Sequence, residues 1–457
     1  MRNRFIVATI STLLMALSAP AVAQQQEGRP PNIVMILADD LGYGDVGFTG
    51  RKEWATPNLD RLAKQGTIFH RFYTTGVVCA PARAALMTGR YGIHNGVTGN
   101  GSLDLPAEEV TIAEVLKTRG YATALFGKWH HGPPRPGNKT YVHPLDQGFD
   151  EFFGFTNARH AHQKFPTELF DGREKKPSKG YADALFTDRA VDFIARKKNE
   201  PFFLYLPYTA PHSAVEAPEE DLTQHKGKFE EKDPSKPYNA HYAAMITRLD
   251  KEVGRVMKAL ADAGIADNTL LVFTSDHGAT FEVLQRGSAV YHDSNHPFRG
   301  QKRTLWEGGA RVPTFVRWPG GNVPAGKESR EVLHMVDLMP TFLAATGTQA
   351  PSEVKLDGQN VLEVLRGKAK APERTLFWEW REGGNTQLAA MRGDMKLIVS
   401  GENNPELYDV EADPAERMNQ AADHPKLTEQ LQAELAEWMA TESEAAKERR
   451  KKDVKEE

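Results

Sequence analysis

The chain has 457 residues, 40% of them hydrophobic and 26% charged, with a formal net charge of −4. That length allows one large domain plus a smaller one, and basic residues interspersed with acids exclude a nucleic-acid binder built on a basic face. The single cysteine, Cys79, cannot close an internal disulfide, so it is a free thiol, an intermolecular link or a chemically altered residue.

Residues 1–23, MRNRFIVATISTLLMALSAPAVA, carry Arg2 and Arg4, an apolar run and Ala21-Val22-Ala23. This predicts a secretory signal cleaved before Gln24 and a product that is periplasmic or secreted. No later stretch approaches the length of a membrane span, so the mature chain is not expected to be membrane-embedded.

Four apolar runs then share one design: NIVMILADD (32–40), ATALFGKWH (122–130), PFFLYLPYTAPH (201–212) and TLLVFTSDHG (269–278). Each is a strand-length segment ending in polar, chemically capable side chains. Helical patterns lie between them, in ATPNLDRLAKQG, EEVTIAEVLKTRGY, YADALFTDRAVDFIARKK and HYAAMITRLDKEVGRVMKALADAG. Strand alternating with helix predicts an α/β fold, a large, mostly parallel central sheet with helices on both faces. Ligands bind such sheets outside the carboxyl ends of the strands, so the four polar clusters are expected to form one site. After Gly367 short strands separated by turns predict a small antiparallel sheet, followed by one helix over about 426–449 and a charged tail. The lysine-rich segment 225–239 reads as a surface loop.

Asp39 and Asp40 close a buried strand, where adjacent carboxylates are costly unless neutralised. They are either a turn before Leu41-Gly42 or, with Asp276, oxygen donors to a hard divalent cation. Cys79 and Pro81 suit the first turn of a helix, with Arg83 on the same face and able to grip an oxyanion. Ala85 stands where a cysteine phosphatase needs arginine, which excludes that chemistry. Lys128 and His130 point the same way if the chain stays extended, and His212 and Lys302 add a possible acid and a cation.

These residues resemble the formylglycine-dependent sulfatases of the alkaline-phosphatase superfamily. Cys79-Ala80-Pro81-Ala82-Arg83, followed by Thr88-Gly89-Arg90, is similar to that family's C-x-P-x-R…T-G-R signature. PNIVMILADDLGYGDVG, FGKWH, GFDEFFGF, APH, TSDHG, FRGQKRTLWEGGARVP, MVDLMPTFLAATG, MRGDMKLI and ELYDVEADPAE look like family landmarks in family order, over residues 31 to about 420. The resemblance implies an alkaline-phosphatase-like fold and conversion of Cys79 to formylglycine by a maturation enzyme. It also implies one calcium ion held by Asp39, Asp40, Asp276, His277 and residue 79. Arg83 would support the aldehyde hydrate, Lys128 and Lys302 the sulfate oxygens, His212 and Lys302 the departing alcohol, and His130 regeneration of the aldehyde. Two departures stand out: His277 replaces a frequent asparagine with a nitrogen donor that calcium favours less, and Ala82 replaces a frequent serine.

The expected organisation is a signal peptide (1–23), a catalytic domain (24–371) and a C-terminal subdomain with a charged tail (372–457). The expected activity is release of sulfate from an organic sulfate, with a sulfated carbohydrate as the leading substrate class. Alternatives are a phosphonate or phosphate diester hydrolase of the same superfamily, and a non-catalytic glycan-binding relative. Residues 160–164, 225–239 and 291–293 are each either a loop that chooses the substrate or a plain surface loop. Asn100 and Asn138 lie in N-x-S/T sites that matter only in a eukaryotic secretory pathway.

Overall fold

All eight residues of NIVMILAD are buried, a pattern that suits a strand covered on both faces. The computed structural model describes residues 28–100, 105–132, 141–382 and 384–449; the signal segment, Asn138 and the last residues of the tail lie outside them. In chain order the strands are β1 Asn32–Asp39, β2 Thr67–Phe69, β3 Phe72–Tyr73, β4 Ala122–Lys128, β5 Glu151–Phe155, β6 Glu168–Asp171, β7 Glu174–Pro177, β8 Phe202–Pro211, β9 Thr269–Ser275, β10 Phe315–Arg317, β11 Lys327–Ser329, β12 Leu333–His334, β13 Thr375–Glu382, β14 Asn385–Arg392, β15 Met395–Ser400 and β16 Glu406–Asp409.

The main sheet has ten strands in the order β11-β2-β10-β9-β1-β8-β4-β5-β6-β7. Its centre, β9-β1-β8-β4-β5, is parallel, and β10 and β6 join antiparallel on either side. All four runs singled out by sequence fall in that parallel centre. Alternate residues of β1 serve opposite faces. Val34, Ile36 and Ala38 pack with helices Ala182–Lys197, Tyr238–Asp262 and α1 (Pro57–Lys64). Ile33, Met35 and Leu37 pack with α2 (Cys79–Thr88) and helix Leu338–Ala345. The sheet is therefore sandwiched between helical layers, as the alternation of elements predicts. No helix among the described residues is long and apolar enough to cross a membrane.

Close backbone approach sets the end of β4. Gly127 has φ +143°, and a Cβ there would lie 2.1 Å from Pro207 O of β8. Its register partner Gly154 on β5 has φ +150°, with Gly127 O 2.0 Å from its own virtual Cβ. Only glycine tolerates both the positive φ and this contact. The pair lets β4, β5 and β8 approach closely just before Lys128.

The small sheet, β13-β14-β15-β16, is antiparallel throughout. One face packs Leu376, Trp378, Met391 and Ile398 on Tyr73, Val77 and Leu305 of the larger unit. The other packs Leu397 and Leu407 on its helix Pro425–Ala440 through Leu431, Leu435 and Trp438. Sequence predicts one helix over 426–449, but the helix ends at Ala440. Thr441 Oγ1 donates to Trp438 O at 2.6 Å, Ser443 N–H donates to Ile93 O, and Ser443 Oγ accepts from Ala446 N at the start of a second helical stretch over 444–449. A serine cap thus starts a new helix where charge composition suggests one frayed end.

A buried ionic cluster ties the two parts together. Lys396 Nζ of β15, with no solvent exposure, meets Glu307 at 2.8 Å and Glu416 at 3.2 Å, and Tyr73 Oη donates to Glu307 at 2.8 Å. Removing one partner of such a cluster strands the remaining charges. Lys396→Met is expected to lower unfolding stability by about 3–5 kcal/mol; adding Glu307→Gln and Glu416→Gln should recover part of that loss in denaturant titrations.

Candidate active site

The sheet order places the polar clusters side by side. Asp276 and His277 follow β9, Asp39 and Asp40 end β1, Pro211 and His212 end β8, and Lys128 and His130 end β4. Cys79 arrives from the first position of α2 and Lys302 from the loop after Phe298. Asp40 has φ 62°, a left-handed turn out of the strand. Asp40 N–H donates to Asp276 Oδ1 at 3.1 Å, and Leu41 N–H to Ser275 Oγ at 3.0 Å. The β1 and β9 ends are thereby held together by their own side chains.

The structure brings the side chains named from sequence close to one another. Cys79 Sγ lies 3.6 Å from Asp39 Oδ1 and 3.2 Å from His277 Nε2. Lys128 Nζ donates to Asp39 Oδ2 at 2.7 Å and Lys302 Nζ to Asp40 Oδ1 at 2.9 Å. His212 Nε2 is 3.6 Å from Asp40 Oδ2, while its Nδ1–H donates to Ser213 O at 2.9 Å. Arg83 bridges several strand ends. Its Nε and one terminal nitrogen donate to Asp276 Oδ2 at 3.1 and 2.9 Å, that nitrogen lies 3.4 Å from Asp39, and the other donates to Lys128 O at 3.0 Å. His130 is partly exposed, with φ 78°.

Burial and charge oppose one another throughout. Burial pushes the Cys79 thiol up, yet Lys128, Lys302 and His277 together bring it well below its ordinary value. Asp39 follows the same balance: burial raises it, and Lys128, His212 and Arg83 pull it far below the carboxylate range. For Asp276 burial wins over His277 and the carboxyl rises to about 6. His277 goes the other way, to about 9, because Asp276 and Cys79 outweigh burial. Burial and Lys128 lower His130 to about 4, so its imidazole is neutral at pH 7.

The three carboxylates suit a hard divalent cation, whereas the His277 nitrogen and the Cys79 sulfur are softer donors that suit it less. Asp39, Cys79, Asp276 and His277 can bring their ligand atoms within 4.8 Å of one another, and so can Asp39, Asp40, Cys79 and His212. Asp40 Oδ2 is buried without a hydrogen-bond partner, an orphaned acceptor that a cation would satisfy. The His277 Nδ1–H donates to Gly278 O at 3.0 Å, which turns Nε2 toward the carboxylates.

Sequence reasoning missed several supporting residues. Lys164, inside the segment expected to choose substrate, is buried and donates to Thr209 O of β8 at 2.6 Å. Asp183 accepts from Thr209 N, Thr209 Oγ1 and Ala210 N at 2.8, 2.9 and 3.0 Å. Together they fix the strand end that carries His212, and the His162 ring sits 4.9 Å from the His212 ring. The 225–239 segment does not stand alone either: Phe229 packs on Trp54 and His292, and Glu230 N–H donates to the Tyr291 hydroxyl. Asn100, read only as a glycosylation pattern, accepts from Ala80 N–H at 2.9 Å, beside Cys79. Isolated polar residues carry no spacing signal that would have found these.

Comparison with known proteins agrees with this geometry. A family model described as Sulfatase matches residues 31–348, and one described as N-sulphoglucosamine sulphohydrolase, C-terminal, matches residues 296–444. N-acetylgalactosamine-6-sulfatase of Sus scrofa is 34% identical over 421 residues, covering 84% of this chain and 74% of that protein. Steryl-sulfatase of Mus musculus is 31% identical over 472 residues, covering 85% and 72%. The crystal structure of Ps i-CgsB in complex with k-i-k-neocarrahexaose superposes with TM-score 0.82 at 31% identity, covering 91% of this chain and 94% of that one.

Cation binding at the carboxylates predicts ligand-linked stabilisation. Calcium at a hundredfold excess over its Kd should add about 3 kcal/mol, read by calorimetry as a rise in Tm. Asp40→Asn should remove most of that rise, and a wild-type Tm that ignores calcium would argue against a cation there.

Proposed function

Because this chain belongs to the sulfatase family, we propose that it is an exported sulfuric ester hydrolase that releases sulfate from a sulfated carbohydrate, using residue 79 as formylglycine and one bound divalent cation, calcium. The carbohydrate assignment is supported by relatives named for a sulfated sugar and by the structural neighbour solved with k-i-k-neocarrahexaose. Export is supported by the signal-like residues 1–23. The intact C-x-P-x-R pattern at 79–83 supports a maturation enzyme as partner. In this reading residues 24–371 form the catalytic domain and 372–457 the C-terminal subdomain.

The observation that carries the proposal is the position of Cys79 Sγ: buried at a helix start, 3.6 Å from Asp39 and 3.2 Å from His277, where carboxylates from two neighbouring strands meet two lysines and an arginine. When present, the cation held by Asp39, Asp40, Asp276 and His277 supplies charge to the sulfate oxygens, and the aldehyde hydrate supplies the attacking hydroxyl.

The chain's own side chains do the rest. Lys128 and Lys302 flank residue 79 and hold sulfate oxygens, where negative charge accumulates in the transition state. Arg83 is a positioning residue, since its donors fix Asp276, Asp39 and the Lys128 carbonyl at once. His212, with Nδ1–H committed to Ser213 O, presents Nε2 to the departing oxygen and delivers its proton there. Lys302, beside Asp40, adds a second cation on that side. His130, neutral at pH 7, accepts the proton that residue 79 gives up when sulfate leaves.

Peptide mass spectrometry over residue 79 paired with sulfate release tests this directly. Aldehyde-bearing protein should hydrolyse an aryl sulfate, and thiol-bearing protein or Cys79→Ala should lose at least about three orders of magnitude in kcat/KM. Aldehyde-bearing protein that releases no sulfate from aryl or sugar sulfates would overturn the proposal. His212→Ala should cost more with an alkyl sulfate than with nitrophenyl sulfate, by roughly 10²-fold or more, because only the poor leaving group needs the proton; equal losses would place the acid elsewhere.

A further inference from the structure

Lys302 and Arg303 are neighbours that serve different regions. Lys302 reaches Asp40, whereas Arg303, with φ 66°, turns outward while its N–H donates to Val77 O at 2.9 Å, two residues before Cys79. Its guanidinium lies between two carboxylates from different parts of the fold. Nε and one terminal nitrogen fork onto Glu382, at the end of β13, at 2.5 and 3.0 Å, and the other terminal nitrogen donates to Glu282, in the loop after β9. The side chains of Arg303, Glu282 and Glu382 are 30%, 36% and 35% exposed, so solvent reaches all three. Burial works against the Arg303 charge, the two carboxylates raise it, and Cys79 is close enough to add to them. The group therefore stands just outside the buried ring around residue 79.

Its chemistry is mixed. Arginine has five N–H hydrogens, and the three bonds to Glu282 and Glu382 leave one on each terminal nitrogen. The carboxylates keep spare lone pairs on either side. Donors interleaved with acceptors suit hydroxyl groups, which do both, better than they suit an anion, which only accepts. Next to Glu282 in the chain, Val283 is 84% and Leu284 53% exposed. Val283 and Leu284 are two of the six large apolar side chains exposed among the described residues, so an apolar pair stands in the open beside Glu282. A polar edge next to an apolar ledge complements a sugar ring, which has hydroxyls on its rim and C–H groups on its face. Two carboxylates against one guanidinium leave a net negative charge that repels a second anionic group.

We propose that Glu282, Arg303 and Glu382, with Val283 and Leu284, form the subsite for the sugar that carries the sulfate, and that it selects a ring whose other substituents are uncharged over one bearing a second sulfate. This rests on the hydrolase reading of residue 79 and makes the substrate class narrower. Matured wild-type protein and the variants Glu282→Gln and Glu382→Gln would be assayed on monosulfated N-acetylgalactosamine, on its disulfated counterpart and on nitrophenyl sulfate. Wild type should favour the monosulfated sugar, and each variant should raise the ratio of kcat/KM for disulfated over monosulfated sugar by roughly three- to tenfold, as removing one nearby charge implies. A wild-type preference for the disulfated sugar, or a ratio that moves less than about twofold in both variants, overturns the inference. Turnover of nitrophenyl sulfate with neither sugar hydrolysed overturns the subsite alone, whereas failure on all three esters overturns the hydrolase reading with it.

Discussion

One guanidinium holds the centre of this molecule together. Arg83, almost wholly buried, donates to Asp276 beyond β9 and to the Lys128 carbonyl at the end of β4, and lies 3.4 Å from Asp39 at the end of β1. Three strand ends, none adjacent in sequence, are thus spaced by a single planar fork whose donors have fixed directions. Its helix places Cys79 four residues earlier on the same face, so the group that orders the carboxylates also sets where residue 79 stands among them.

A site built this way is a buried charge balance. Asp39, Asp40 and Asp276 face Lys128, Lys302, Arg83 and His277 with all seven side chains buried, so opposite charges offset one another there. That explains why neighbouring carboxyls are driven apart, Asp39 far down and Asp276 up to about 6. It also explains why two histidines a short distance apart are held in opposite states, His277 raised to about 9 and His130 lowered to about 4. An orphaned carboxylate oxygen on Asp40 completes the picture of donors arranged for a positive ion.

The C-terminal sheet is more than a cap. Trp378 Nε1 donates to Thr74 O at 2.7 Å, and Thr74 Oγ1 in turn donates to Asp276 O at 2.5 Å. Lys396 closes a buried cluster with Glu307 and Glu416, and Glu382 reaches Arg303 at the outer rim. The smaller unit therefore touches the back of the site, anchors itself through charge, and reaches Arg303 at the rim.

Sequence alone determined the alternation of strands and helices, the parallel sheet, the four polar strand ends and the residues around Cys79, because local hydrophobic runs and short motifs record those features. It did not determine the break at Thr441, where a serine cap and a bond to Ile93 override a charged helical pattern. Nor did it reveal Lys164 and Asp183 behind His212, the Ala80 contact of Asn100, or the Glu282–Arg303–Glu382 group. Asn100 falls in an N-x-S pattern and Arg303 in the FRGQKRTLWEGGARVP stretch, but neither pattern names these partners, and the other side chains have no periodicity or motif of their own. Only the packed sheet, by setting β8 beside β1 and the small sheet against the loop after β9, decided which distant charges would meet.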